Sequence, residues 1–339
     1  MAQSQLRILF AGSPAIAVPA LEAVAAFCEA EQGFTLTGLL TNPDSPKGRS
    51  GKPEPTECAV ALERLAMERF PGIPVLKPEK LDSAARAQVE ALRPDLLISF
   101  AYGKIFGPRF LGLFPMGGIN VHPSLLPKYR GPTPIPAAII NRETETGITI
   151  QRLAAEMDSG DILVQEKVPL NGRETTESLG LTMAEKAAEL LPPLLSGLAS
   201  GSLRERPQDH GAASYCSLIA KADGLIDWNM SALEIDARIR AFTPWPLSWT
   251  MHGDMQLLIL KAEALEPESG VPDRAQPGQA TPNQAMLGEV LGKDRNKGIL
   301  IRTGGGILAV SELQYRTKKA LEWKAFLNGA RNFIGERLG

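Results

Sequence analysis

The sequence is poor in the residues that build disulfide frameworks, metal sites and membrane spans. It contains three cysteines in 339 residues, and widely separated thiols in odd number favour neither a disulfide framework nor a metal site. No apolar run approaches the roughly 18 residues that a membrane-spanning helix requires. The first residues lack the basic stretch and apolar core of a secretory signal. We therefore expect a globular, cytoplasmic protein without a membrane partner.

The glycine pattern of a dinucleotide-binding turn is also missing. The first turn contains Gly12-Ser13-Pro14, whereas a nicotinamide or flavin site would show Gly-x-Gly-x-x-Gly after the first strand. This weighs against an oxidoreductase. The hydrophobic content of 44% and charged content of 22% are ordinary for a globular enzyme, and the length suits two domains.

Short apolar strands alternate with amphipathic helices over the first two hundred residues. Such alternation predicts an α/β fold, with a mostly parallel Rossmann-like sheet and helices on both faces. Ligands of these sheets bind beyond the carboxyl ends of the strands, so the turns after Phe10, Leu40, Phe100 and around His122 should share one cleft. Strands are predicted over 6–11, 35–40, 74–76, 96–100, 118–122 and 147–153, and helices over 19–29, 55–69, 83–92 and 176–200.

A second domain is predicted beyond a polar segment with no periodicity. We expect a catalytic domain over 1–200, a linker over 201–214 and a carboxyl-terminal domain over 215–339. The last region combines one helix over 231–242 with several short strands between Gly and Pro turns, which is typical of a small barrel. Its strands are predicted over 248–252, 255–262, 288–291, 298–302 and 307–313, with a mobile surface loop over 266–284.

An asparagine and a histidine stand two residues apart at the end of one predicted strand. The chain has three histidines, and if 118–122 is a strand, Asn120 and His122 point to the same face. Asp158 lies on the loop after a later strand. A carboxylate beside the imidazole would raise the pKa of the histidine and orient the ring, as in a general acid or base. Alone, the histidine could be structural and Asp158-Ser159-Gly160 an ordinary turn.

These residues resemble the signature of the folate-dependent formyltransferases. The pattern Asn-x-His-x-Ser-Leu-Leu-Pro starts at Asn120, and Asp-x-Gly-Asp-Ile-Leu starts at Asp158. Further segments resemble the branch of the family that formylates methionyl-tRNA. The resemblance runs from about residue 6 to about residue 335. These segments are 7–14, 41–49, 101–103, 145–149 and 241–249.

The resemblance implies a fold, an activity and partners. It implies that the carboxyl-terminal domain is an OB-like barrel that binds tRNA. It also implies transfer of the formyl group of 10-formyltetrahydrofolate to initiator methionyl-tRNA, with tetrahydrofolate as the product. The expected protein is a monomer whose partners are the tRNA and the folate, without DNA. Asn120 and a protonated His122 would donate to the developing oxyanion, and His122, tuned by Asp158, would move the proton.

Matching positions give further site residues by the same resemblance. Residues on the folate segment and the pterin pocket are Ser124, Leu125, Leu126, Pro127, Phe100, Tyr102, Gly103 and Ile105. Those expected to contact the tRNA or its methionyl group are Gly12, Ile16, Gly48, Arg49, Lys318 and Lys319. Ile16 departs from the family, which usually has an aromatic residue there, so the methionyl pocket should have a different shape. For the apolar residues, simple core packing is the alternative interpretation.

Charge is distributed unevenly along the chain. Residues 295–339 carry nine basic and three acidic side chains, a balance of +6, and the net charge of the whole chain is −2. Residues 1–294 therefore carry −8. The basic end predicts a phosphate-binding surface whose affinity falls as salt rises. The loop over 42–52, which carries Lys47, Arg49 and Lys52, could hold the acceptor end of a nucleic acid at the mouth of the cleft. The alternatives are a solvated face for the basic end and an ordinary exposed connection between strand and helix for the loop.

Other functions share parts of this pattern. A formyltransferase acting on a sugar amine or on glycinamide ribonucleotide would use the same Asn120, His122 and Asp158 without needing Arg49 or the basic end. A formyltetrahydrofolate hydrolase would replace the amine by water. A noncatalytic RNA-binding protein with a folate-like pocket would have no use for the three polar residues.

Overall fold

The chain divides into two units in a computed structural model that describes residues 5–46, 51–68, 72–265, 287–330 and 332–339. The first unit comprises Met1–Pro134, Glu145–Pro169 and Leu179–Ser217, and the second comprises Ile135–Thr144, Leu170–Ser178 and Leu218–Gly339. The segment 201–214, expected as a linker, falls in the first unit. The expected mobile loop 266–284 lies outside the described residues. In the described ranges, none of the helices combines the length and hydropathy needed to cross a bilayer.

A seven-stranded sheet organises the first unit. Its order is β5-β2-β1-β6-β7-β8-β9, and the strands from β5 to β7 pair in parallel while β8 and β9 pair antiparallel. The mostly parallel α/β fold predicted from the sequence is therefore confirmed. The strands, with a separate hairpin β3–β4, are β1 (Leu6–Gly12), β2 (Phe34–Leu40), β3 (Ser45–Pro46), β4 (Pro53–Glu54), β5 (Val75–Leu76), β6 (Leu96–Phe100), β7 (Gly118–His122), β8 (Glu145–Arg152) and β9 (Ile162–Pro169).

Helices surround this sheet because its central strands are apolar on both faces. Every residue of β6 is buried, which is the pattern of a parallel strand covered on both sides. Leu9 and Leu97 pack in one cluster with Val89 and Phe110. Asp82 caps α3 by accepting from the Ala85 amide at 3.1 Å. The helices up to residue 200 are α1 (Val18–Ala30), α2 (Glu57–Glu68), α3 (Ser83–Ala91), α4 (Pro108–Leu111), α5 (Pro134–Ile140) and α6 (Thr176–Ser200). Of these, α5 beyond Pro134 and the start of α6 belong to the second unit.

The second unit is built on an antiparallel sheet. Its strands run in the order β10-β11-β14-β13-β12, and β15 pairs with β14. Trp228, Ile235, Leu257 and Phe326 share its hydrophobic core. The antiparallel sheet agrees with the predicted strand-rich domain, and closure into an OB-like barrel stays a prediction. The elements are α7 (Ala232–Ala241), β10 (Ser248–His252), β11 (Met255–Leu265), β12 (Val290–Asp294), β13 (Gly298–Arg302), β14 (Ile307–Tyr315), β15 (Leu321–Glu322) and α8 (Trp323–Gly329).

Candidate active site

Three turns meet at the carboxyl edge of the parallel strands. Ser13, after β1, accepts hydrogen bonds from the Thr41 hydroxyl at 3.2 Å and from the Asn42 amide at 3.1 Å, both after β2. The Asn42 side chain donates to the Tyr102 carbonyl, after β6, at 2.9 Å. The turns after Phe10, Leu40 and Phe100 therefore share one edge, as the sequence predicted. Strand β7 lies beside β6 in parallel, so His122 ends at this edge too.

Asn120, His122 and Asp158 come together although the aspartate is far from the other two along the chain. Asn120 and His122 lie on β7, directly opposite Gln151 and Thr149 of β8. The Asn120 amide nitrogen donates to Oδ1 of Asp158 at 3.3 Å. Nδ1 of His122 lies 3.5 Å from Oδ2 of Asp158. One carboxylate thus contacts the two side chains that alternate onto the same face of β7.

The loop between β8 and β9 folds back over the sheet to carry this carboxylate. Asp158 has a φ of +54°, a left-handed conformation that Asp and Asn tolerate better than most residues. Its Oδ2 accepts from the Gly131 amide at 2.9 Å, and its Oδ1 accepts from the Gln151 side chain at 2.9 Å. At Gly160 a Cβ would lie 2.0 Å from the Arg152 carbonyl, so this close approach requires glycine.

The His122 ring is buried, and its tautomer follows from its partners. Its Nε2 lies 2.9 Å from the Tyr129 carbonyl, which can only accept, so Nε2 carries a proton. Burial lowers the pKa of His122 below the ordinary value, although attraction to Asp158 and the Tyr129 carbonyl act in the opposite direction. The carboxylate does raise this pKa, as the sequence analysis expected, but the desolvation of a ring that is 4% exposed is the larger effect, so the net pKa is lowered. The lowered pKa favours a neutral resting ring, with Nδ1 unprotonated beside Asp158, whereas the sequence analysis expected a protonated ring.

Residues of the predicted folate segment pack against β8. Leu125 contacts Gly147, where a Cβ would lie 2.4 Å from Cδ2 of the leucine. The Thr149 hydroxyl donates to the Ser124 carbonyl at 2.6 Å, and the Leu126 carbonyl accepts from the Gln165 side chain at 2.9 Å. Pro127 accepts through its carbonyl from the Ser214 amide. These bonds fix the backbone next to His122, and contact of the segment with folate stays a prediction.

The loop after β6 presents both apolar surface and one unsatisfied polar atom. Phe100 and Tyr102 are each 1% exposed, whereas the Ile105 side chain is 79% exposed. Oη of Tyr102 is buried and has no hydrogen-bond partner among the described residues, and burial raises the pKa of this phenol. Gly103 has a φ of +82°. Contact of these residues with the pterin of a folate stays a prediction.

Two side chains to which sequence reasoning gave no role contact Asp158, namely Gln151 and Gln208, and a third, Arg130, contacts Gln208. Gln151 donates to the carboxylate, and Gln208 donates to the Gln151 side chain at 3.0 Å and to the Gly160 carbonyl at 2.7 Å. Arg130 is 2% exposed and donates to Gln208. The alternation of β8 places Gln151 on the Thr149 face, which was the available signal for it. Gln208 lies in a polar segment without periodicity and gave no such signal.

The sequence matches two family descriptions along most of its length. "Formyl transferase" matches residues 7–195, and "Formyl transferase, C-terminal domain" matches residues 218–331. The chain belongs to the formyl transferase family. A similar protein from Treponema denticola named methionyl-tRNA formyltransferase is 48% identical over 331 residues, covering 97% of this chain and 98% of the relative. One of the same name from Treponema pallidum (strain Nichols) is 44% identical over 338 residues, covering 98% and 99%.

Solved structures of the same fold extend this formyl transferase comparison. HypX from Aquifex aeolicus, solved in complex with tetrahydrofolic acid, matches with a TM-score of 0.60 at 18% identity. The match covers 98% of this chain and 49% of HypX, so the chain spans about half the length of that protein. At this identity the likeness concerns the fold alone. The family resemblance and the fold class predicted from the sequence are confirmed.

The residues predicted to contact tRNA in this formyl transferase are spread over both units. Gly12 ends β1, where a Cβ would lie 3.0 Å from the Phe100 carbonyl. Ile16 is half-buried and lies 3.9 Å from the Cβ position of Gly180. Lys318 and Lys319, in the second unit, are exposed, and the Lys318 ammonium lies 5.5 Å from the centre of the Tyr315 ring. Gly48 and Arg49 lie outside the described residues.

Proposed function

We propose that this formyl transferase moves the formyl group of 10-formyltetrahydrofolate to the α-amine of initiator methionyl-tRNA. The observation that supports it most strongly is the meeting of an amide, an imidazole and a carboxylate on one face of β7. Asn120 and His122 both contact Asp158, at 3.3 and 3.5 Å. The named function of relatives that align over nearly their whole length favours methionyl-tRNA as the acceptor.

The formyl donor fits the residues at the end of β6. When bound, the folate supplies a formyl carbon whose bond to nitrogen is broken in the transfer. Phe100 and Ile105 provide apolar contact, and the unsatisfied Tyr102 hydroxyl is a donor for a polar edge. The carbonyl-rich segment Ser124–Pro127 is held rigid beside His122 by its bonds to β8 and β9. These residues are apolar or uncharged, so they hold the formyl donor by van der Waals contact and hydrogen bonds rather than by ionic interactions.

His122 is the proton acceptor in this proposal. Its Nε2–H is engaged by the Tyr129 carbonyl, which leaves the lone pair of Nδ1 to take the proton that the amine loses as it bonds to the formyl carbon. The imidazolium that results lies 3.5 Å from Asp158, and the carboxylate stabilises it. His122 then returns the proton to the folate nitrogen that leaves.

Asn120 stabilises the negative charge that grows on the formyl oxygen. One hydrogen of its amide nitrogen points to Oδ1 of Asp158 at 3.3 Å, and the other hydrogen is available for the oxygen. A donor held in place before the reaction stabilises a developing oxyanion without reorganisation, which is usually a large contribution to acyl transfer. A covalent enzyme intermediate is unnecessary because an amine is already a good nucleophile.

The tRNA contacts belong to the same proposal. Lys318 and Lys319, which belong to the second unit, bind phosphates of the tRNA. Arg49 and Gly48, which follow β2 in the sequence, contact the tRNA as well. Gly12 and Ile16 line an apolar site for the methionyl side chain, whose shape follows from the isoleucine. We place the enzyme in the cytoplasm as a monomer, since its proposed substrates, a charged tRNA and a folate, require neither a membrane nor a partner chain.

A comparison of acceptors tests the function. Purified enzyme is given the formyl folate together with charged initiator tRNA, glycinamide ribonucleotide or buffer alone, and formylated product and free formate are measured. We expect formyl-methionyl-tRNA as the main product. Formate release without formylated tRNA would instead identify a hydrolase, and preferential formylation of glycinamide ribonucleotide would identify a purine enzyme. Uncharged tRNA is the matched control because it offers the same phosphates without an amine.

A further inference from the structure

Gln208 occupies an unusual place for a residue of a polar connecting segment. It is 5% exposed, and the chain just before it is tied to the sheet by two backbone bonds between Arg206 and Ile162, at 2.8 and 2.9 Å. This pairing carries Gln208 over the loop that holds Asp158. The side chain therefore lies next to the catalytic carboxylate, although nothing in its sequence surroundings predicts it.

The oxygen of the Gln208 amide is fixed by a buried arginine. Arg130 is 2% exposed and donates to Oε1 of Gln208 from Nε at 3.2 Å and from Nη2 at 2.7 Å. A guanidinium carries only donors and stays charged. It also contacts His210 Nδ1 at 3.0 Å and Tyr215 Oη at 3.4 Å. Because the two hydrogen bonds that Arg130 donates to Gln208 require an acceptor, the oxygen of the Gln208 amide must face Arg130.

The nitrogen of the same amide faces acceptors alone. Nε2 of Gln208 lies 3.0 Å from Oε1 of Gln151, 3.0 Å from the Asp158 carbonyl and 2.7 Å from the Gly160 carbonyl. With its own Oε1 engaged in this way, Gln151 must turn its nitrogen to Oδ1 of Asp158, at 2.9 Å. The orientation of one amide thus determines the orientation of the next, from Arg130 to Asp158.

We propose that Gln208 is a positioning residue for formyl transfer, which holds the Asp158 carboxylate opposite His122 through Gln151 and through the Asp158 backbone. The inference rests on the proposed function of this site. Two contacts carry it: the bond from Gln208 to the Asp158 carbonyl, at a residue with a φ of +54°, and the amide pair that presents a donor to the carboxylate. Without Gln208, Gln151 is free to turn its oxygen toward the carboxylate and repel it.

Kinetics of substituted enzymes test this role. Gln208→Met keeps the length of the side chain and removes both polar atoms. We expect kcat to fall by about ten- to a hundred-fold, the range seen when the partner of an oriented catalytic group is removed. The KM values for folate and tRNA should stay within about two-fold, because the loss concerns the reacting geometry rather than binding. A general loosening of the fold would raise KM together with the loss of kcat.

Gln208→Glu covers the case in which the methionine variant does not fold. It leaves an oxygen for the buried Arg130 charge but sets a second oxygen against the three acceptors, so kcat should fall here as well with KM unchanged. Thr37→Val is the matched control. Thr37, on β2, is also buried and donates to a backbone carbonyl, Ile8 O at 3.0 Å, but it is not among the groups that contact Asp158 or the predicted folate segment in the described residues.

The outcomes separate the role of Gln208 from the proposed function. If the wild type fails to formylate methionyl-tRNA, the proposed function fails and the inference falls with it. If the wild type is active and either Gln208 variant folds with kcat within about two-fold of it, Gln208 has no positioning role. A loss of kcat in Thr37→Val as large as in Gln208→Met would also overturn the inference, since the loss of any buried hydrogen-bonding side chain would then have the same effect.

Discussion

Nδ1 of His122 lies 3.5 Å from Oδ2 of Asp158, and this contact opposes the effect of burial on the pKa of the ring. Desolvation lowers the pKa of the ring, whereas the carboxylate raises it. The resting ring is neutral, and the charged ring that forms on proton uptake has a counter-ion already in place. This suits a base that must accept a proton and release it again within one reaction.

The stability of the protein should depend on pH through His122. Because the folded-state pKa is lowered, the unfolded chain binds a proton that the folded chain resists, and stability is lost as pH falls through the ordinary histidine value of about 6.5. We expect the free energy of unfolding to decrease by up to about 1.4 kcal/mol for each pH unit in that window. Urea unfolding at several pH values measures it.

His122→Asn should flatten this part of the pH profile because it removes the group that titrates. The same substitution at the exposed His210 controls for loss of an imidazole elsewhere. A profile of equal slope in wild type and His122→Asn would show that the ring does not contribute as a buried neutral group.

Two substitutions of Asp158 should differ in stability and agree in activity. Asn and Asp both tolerate the left-handed backbone at φ +54°, whereas Ala is strained there by about 1 kcal/mol or more. We expect Asp158→Ala to be less stable than Asp158→Asn by that amount in urea unfolding. Both should reduce kcat by about a hundred-fold or more, since neither supplies the negative charge beside His122. Equal stability of the two variants would contradict the backbone argument.

Lys318→Ala with Lys319→Ala should weaken tRNA binding mainly at low salt. Each lysine that neutralises a phosphate adds close to one unit to the slope of log affinity against log salt, so the double variant should lose about one to two units. Filter binding or fluorescence titration over a range of salt concentrations gives the slope. Lys167→Ala with Lys186→Ala is the matched control, because these surface lysines of the first unit pair with glutamates. An unchanged slope would mean that Lys318 and Lys319 lie on a solvated face.

The sequence predicted the strands and helices whose hydrophobic pattern is strong. It did not predict those that depend on pairing with a neighbouring strand or on tertiary contacts. Strands such as Leu96–Phe100 and Gly118–His122 appear with the predicted bounds. Strand β9 was missed because Ile162–Pro169 contains Gln165, Glu166 and Lys167 in its middle. Its place at the end of the strand order, next to β8, permits these polar residues. Helix α8 was missed as well, since its seven residues are too few to show a period.

The site was predictable to the extent that its residues lie on one regular strand. The two-residue spacing of Asn120 and His122 gave their common face, and the family motif supplied Asp158. The support of Asp158 was not predictable, because Gln208 contacts Asp158, and Arg130 contacts Gln208, from segments whose conformation depends on tertiary contacts. The direction of the His122 pKa was also missed, since burial of a ring depends on its surroundings rather than on its neighbours in sequence.

The central claim is that Asn120 and His122 act in the transfer step itself. Its most direct test is the single-turnover rate of formyl transfer to methionyl-tRNA by wild type, Asn120→Ala and His122→Asn, with tRNA affinity measured in parallel. We expect rates lower by about a hundred- to a thousand-fold, the usual loss of an oxyanion donor or a general base, with tRNA affinity within about two-fold. Asn171→Ala, at an exposed position outside the site, is the control. A rate close to that of wild type in His122→Asn or Asn120→Ala would contradict the account.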